Sequence, residues 1–94
     1  MMKIKNYGSN QTVVQENGLQ VLYSYETPVA LISRINGEVR IYRTEQFHSV
    51  TTSKHINKFL RNEYRGETPA ENLPQSVLDD WRNSQFTPVG MEEY

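Results

Sequence analysis

Two Asn-Gly pairs, Asn17-Gly18 and Asn36-Gly37, each separate runs of β-branched and apolar residues, and they constrain the fold more than any other feature of the chain. A two-residue hairpin turn of type I′ needs positive φ at both central positions, and Asn followed by Gly meets that need at the least steric cost. The flanking runs agree with such turns. Gln11 to Glu16 leads into the first pair, and Gln20 to Glu26 leaves it with Val21, Tyr23 and Tyr25 alternating against Leu22 and Ser24. Val29 to Ile35 leads into the second pair, and Glu38 to Arg43 returns with Val39 and Ile41 on one face. Lys3 to Asn6 supplies a further short strand, turned by Gly8-Ser9-Asn10. Thr27-Pro28 predicts a bend or bulge without ending the sheet, because proline has no N–H to give to a ladder. The N-terminal half therefore predicts an antiparallel meander of four or five strands.

The hydrophobic period changes after Thr44. Phe47 to Val50 reads as one more short strand, and the hydroxyls of Thr51-Thr52-Ser53 suit the start of a helix. From about Ser53 to Arg65, Ile56, Phe59 and Leu60 fall at i, i+3 and i+4, the spacing of one buried stripe. Lys54, Lys58, Arg61 and Arg65 gather within about 60° on the opposite side of the wheel. Glu63 lies on the apolar side, which predicts that the helix ends near it. Residues 66–76, with Gly66, Pro69 and Pro74, read as a connector. A second, shorter helix follows Pro74, with Val77, Leu78 and Trp81 on one face, and Ser84 to Tyr94 reads as an acidic tail. The expected architecture is α+β and single-domain. Residues 1–65 form a meander packed against one amphipathic helix, and residues 66–94 form a connector, a short helix and a tail. Val21, Tyr23, Ile32, Val39, Ile41, Ile56, Phe59 and Leu60 are the expected core.

A chain of 94 residues buries only roughly 60–65% of the surface its unfolded form exposes. No cysteine is present to staple so thin a core or to bind zinc as thiolate. No segment approaches the apolar length of a membrane span or a signal peptide, so a cytoplasmic protein without membrane partners is expected. The chemistry-bearing residues are sparse. His48 and His55 stand without metal-ligand spacing, and no metal or cofactor is expected. Ser53 and His55 diverge by about 200° on a helix and do not make a nucleophile and base. Asp79-Asp80 and Glu92-Glu93 read as solvated charge, and the scattered glycines form no phosphate loop. No catalytic residue is assigned, and the expectation is a protein that is not an enzyme.

What rises above this background is charge. Every Lys and Arg except Arg82 lies in residues 1–66, whereas Glu67, Glu71, Asp79, Asp80, Glu92 and Glu93 follow. The candidate partner-binding residues are Lys54, Lys58, Arg61 and Arg65 on the helix, Arg40 and Arg43 on the meander, and Trp81 beside the acidic segment. A basic helix face fits an acidic protein or a nucleic-acid backbone, and its alternative role is a solvated surface.

The runs Tyr7-Gly8-Ser9-Asn10-Gln11-Thr12, Tyr23 to Ala30 and Ser49 to Leu60, with Thr51-Thr52-Ser53-Lys54-His55-Ile56-Asn57-Lys58 the most specific stretch, resemble a family of short uncharacterised proteins of tailed bacteriophages and mobile elements. The resemblance covers about residues 2–62. It carries no activity, and it implies an accessory protein that binds a host macromolecule, such as an inhibitor of a bacterial defence system of the anti-CRISPR kind. A host protein is the leading partner, DNA or RNA the alternative, and a homodimer is compatible with either.

Overall fold

A computed structural model describes residues 3–35, 37–63 and 70–82. Six strands form one sheet in the order β1-β2-β3-β4-β5-β6: β1 Lys3–Gly8, β2 Gln11–Glu16, β3 Leu19–Ser24, β4 Thr27–Ile35, β5 Glu38–Thr44 and β6 Glu71–Leu73. The first five make an antiparallel meander. Helix α1, Val50–Glu63, then crosses from β5 to β6, which pairs parallel to β5, and α2, Gln75–Asp79, follows directly. The class is α+β, as the sequence predicts.

Asn17 and Gly18 both have positive φ and join β2 to β3 with Glu16 opposite Leu19, the geometry that an Asn-Gly pair favours. The second pair joins β4 to β5, with Gly37 at positive φ and Asn36 outside the described residues. Between these hairpins the structure departs from expectation. The chain does not bend at Thr27-Pro28; it reverses two residues earlier, at Tyr25-Glu26, and Thr27 opens β4. Tyr25 carries the positive φ of that turn, a position where sequence signals look for Gly or Asn. A bulge does occur beside the proline: Leu22 faces Ala30 and Tyr23 faces Pro28, which leaves Val29 without an opposite residue. The bulge lets Val29 and Ala30, adjacent in sequence, join the same core cluster.

Both faces of the sheet are covered. On one side Val13, Leu22, Ala30, Ile32 and Ile41 pack against Ile56 and Phe59 of α1, with Val39 and Leu60 at the margin. On the other, Val14, Val21, Leu31 and Tyr42 pack against Leu78 of α2 and Trp81, with Tyr23 at the margin. The expected core thus divides, and Val21 and Tyr23 belong to the side away from α1. The reason lies in β3 and β4. Leu22 alternates with Val21 and Tyr23, its polar neighbours Gln20 and Ser24 are buried with it, and Val29 to Ile32 is apolar without interruption, so neither strand gives a face to water.

Two further expectations need correction. Phe47 to Val50 is not a strand: Phe47 is exposed and Val50 begins α1. The cap is Ser49, whose Oγ accepts from the Thr52 N–H at 3.0 Å, and not the Thr51-Thr52-Ser53 hydroxyls. The residues read as a connector contain β6, whose Leu73 carbonyl also accepts from the Glu45 N–H. Helix α1 is described as far as Glu63, so its expected end lies at the limit of the described residues; Arg65 and the tail from residue 83 lie outside them.

A basic face around the first helix

Pairing register assigns each charged strand residue to a side of the sheet. Lys5 faces Val13 and Arg43 faces Ala30, both core residues on the α1 side; Lys3 and Arg34 follow by alternation. Lys54, Lys58 and Arg61 come from α1 itself. These cations share one side of the molecule, and Glu63 is the one carboxylate that the described strands and α1 add to it. Glu16, Glu38 and Glu71 fall on the α2 side by the same register, where Asp79 of α2 and Asp80 just beyond it also lie. The charge asymmetry along the sequence is therefore also an asymmetry between the two faces of the sheet.

Glu63 does not neutralise the cations, because its carboxylate is already occupied. Oε1 accepts from Gln20 Nε2 and Oε2 from the Tyr7 hydroxyl, each at 3.0 Å, while its main-chain carbonyl accepts from Arg34. Burial, helped by the neighbouring Glu63, pushes the Tyr7 phenol above its usual range. Lys58 is half-buried: it donates to the Tyr7 carbonyl and lies over the Tyr7 ring, 5.3 Å from its centroid. Arg43 reaches Asn57 at 3.5 Å. Lys54 and Arg61 are exposed and pair with no described residue. At the far end, Lys3 and Arg34, together with Glu16, border a shallow recess of about 290 Å³ beside the Asn17-Gly18 turn.

Of the residues expected to bind a partner, Lys54, Lys58, Arg61 and Arg43 are brought together here. Arg40 is not. It alternates with Ile41, so it points to the α2 side, where it bonds with Tyr42. Trp81 is a core residue, 3% exposed, with its indole N–H donating to the Tyr23 hydroxyl at 2.8 Å. Arg65 lies outside the described residues.

His55, given no site role by the sequence, is buried. Its Nδ1 lies 2.8 Å from Ser24 Oγ, which in turn lies 3.0 Å from Thr52 Oγ1. Ser24 is 2% exposed, and the serine–histidine pair is a buried polar link between the end of β3 and the first turns of α1. Its partners sit 31 residues apart in sequence, a separation that no local motif reveals. Burial, and then the charge of Lys58, hold the imidazole below its ordinary value of 6.5. Folding therefore favours the neutral ring. Stability is full above that value and falls as the pH drops beneath it, because the unfolded chain binds the proton more readily. Melting temperatures between about pH 7.5 and 5.5 should decline on the acid side, and His55→Gln should flatten that decline. An equal slope in the variant would assign the acid sensitivity to other groups.

Near His55 the surface is aromatic. The Tyr25 ring lies 6.2 Å from the His55 ring and is 54% exposed. Its φ of 60° places a bulky side chain in the left-handed region, at a cost of about 1–2 kcal/mol. Phe47, 71% exposed, precedes the same end of α1. Sequence reading misses Tyr25 as a surface feature because alternation alone carries the strand through it on the face of Val21 and Tyr23.

Among the described residues no group of three His, Asp or Glu side chains is placed to hold a metal ion, and no helix is long and apolar enough to cross a membrane. No curated protein and no solved structure matches the chain. One family does match, over residues 2–78, a span from β1 through most of α2 that includes every cation of the basic face. The chain belongs to that family, DUF8033, a family of unknown function.

Proposed function

We propose that this chain is a non-enzymatic accessory protein that acts by binding an anionic macromolecule of a host cell through the face built around α1. The observation that carries this reading is the separation of charge across the sheet, with the cations gathered on the α1 side and Glu63, the one carboxylate that the described strands and α1 add there, held by Tyr7 and Gln20. A surface kept soluble by mixed charge would intersperse the signs. One that meets a polyanion gathers like charges and steers its partner over a distance set by salt. The resemblance to small proteins of phages and mobile elements supports a host target in the cytoplasm. Inhibition of a defence complex is the form it favours, with such a complex offering both acidic protein surface and nucleic acid.

Lys54 and Arg61 test the reading most cleanly, since both are exposed and neither supports the core, whereas Lys58 also packs on Tyr7. Lys54→Glu with Arg61→Glu should weaken capture of the partner from host lysate by about tenfold or more, with the melting temperature almost unchanged. Capture is run with and without nuclease, so that a protein partner and a nucleic acid separate. Full capture by the double variant would reduce the face to a solvated surface.

A further inference from the structure

We infer that the partner of this face is a single-stranded nucleic acid, whose backbone runs along the cations of α1 while a base stacks on Tyr25. The inference rests on the polyanion reading above and names its ligand. Acidic protein surfaces and duplexes ask only for positive charge. A single strand adds unpaired bases, and the surfaces that hold it place exposed aromatic rings beside a basic track. Tyr25 meets that requirement in position, because its ring lies against His55, which follows Lys54 directly and stands about one turn before Lys58 on α1. It also meets it in exposure, and Phe47 adds a second open ring before the helix begins.

The backbone at Tyr25 points the same way. Glycine would relieve the positive φ, and asparagine would tolerate it, yet a bulky ring stands there and is held out to solvent. Backbone strain maintained around an exposed side chain marks a side chain kept for contact. Glu26, exposed in the same turn, repels a phosphate at that spot. The phosphates therefore lie over Lys54, Lys58 and Arg61, and the uncharged base turns towards Tyr25.

The test uses the full chain and three probes in fluorescence anisotropy: a labelled oligothymidylate of roughly 12 nucleotides, a labelled duplex of the same length, and labelled polyglutamate. The oligothymidylate should bind more tightly than the duplex, with an affinity that falls as salt rises. Tyr25→Gly should weaken it by about fivefold or more and leave the salt dependence unchanged, with the melting temperature equal or higher. Lys54→Glu with Arg61→Glu should instead flatten the salt dependence, by about 0.7 in log–log slope for each phosphate that is no longer neutralised. Tyr25→Asn, which tolerates the same φ, and Phe47→Ser give independent readings of the rings. Equal binding of single strand and duplex that Tyr25→Gly does not alter overturns the stacking inference and leaves the polyanion reading standing. So does binding of polyglutamate without binding of nucleic acid. Failure to bind any of the three at low salt overturns both.

Discussion

Phe59→Ala is expected to destabilise the fold by roughly 3–5 kcal/mol, a large share of the about 5–15 kcal/mol that holds a domain of this kind together. Phe59 is fully buried and sits where α1 meets the sheet, among Ile56 and the side chains of the α1-side cluster. The Tyr7 ring packs edge-on against it, with centroids 5.8 Å apart and planes at 76°. The substitution removes burial, leaves a cavity and strips Tyr7 of its support, so the hydroxyl that holds Glu63 is loosened as well. Urea denaturation should show the midpoint displaced by about 1–3 M at an unchanged slope. A midpoint within experimental scatter of the parent would mean that α1 does not contribute to the core.

Trp81→Ala should cost as much on the opposite side, again roughly 3–5 kcal/mol. The indole closes a cluster of Val14, Val21, Leu31, Tyr42 and Leu78, and the Arg82 guanidinium lies 4.7 Å from its ring centroid while pairing with Glu16 at 2.8 Å. Trp81→Phe separates the two contributions. It retains most of the packing but leaves the Tyr23 hydroxyl without its donor, and it should cost about 1–3 kcal/mol. Because Trp81 is the only tryptophan, its fluorescence in the parent chain reports directly on this face. If Trp81→Ala melted like the parent, the α2 side would be an ornament on a fold held by α1 alone.

These two residues mark where sequence reasoning succeeds and where it falls short. Phe59 is legible because Ile56, Phe59 and Leu60 repeat at helical spacing, and both hairpins are legible because Asn-Gly is a local signal with a local cause. Trp81 reads as a binding residue because an isolated tryptophan beside acids has no visible partner until the Val21–Tyr23 side of β3 is known to face away from α1. β6 escapes notice because Glu-Asn-Leu carries no strand signal of its own, and its conformation comes from pairing with β5. The Tyr25-Glu26 turn escapes notice because neither residue favours a turn. The basic helix face is legible as far as Arg61, and Arg43 stands beside it among the expected residues, whereas Lys3 and Lys5 join it only once register fixes which way each strand residue points. Arg40 fails for the same reason, one residue out of phase with Ile41.

The parallel pairing of β6 with β5 has a consequence for the order in which the chain folds. Each of the first five strands meets its sequence neighbour across a two-residue turn, so every closure loses little chain entropy. β6 meets β5 only after a loop containing all of α1 has closed, and three residues of ladder are its return. Such a pairing forms late and opens early. With β6 goes α2, and with α2 the cover over Val21 and Leu31. A nascent or thermally loosened chain therefore exposes the α2 side of its sheet first, while α1 and the cations around it remain in place.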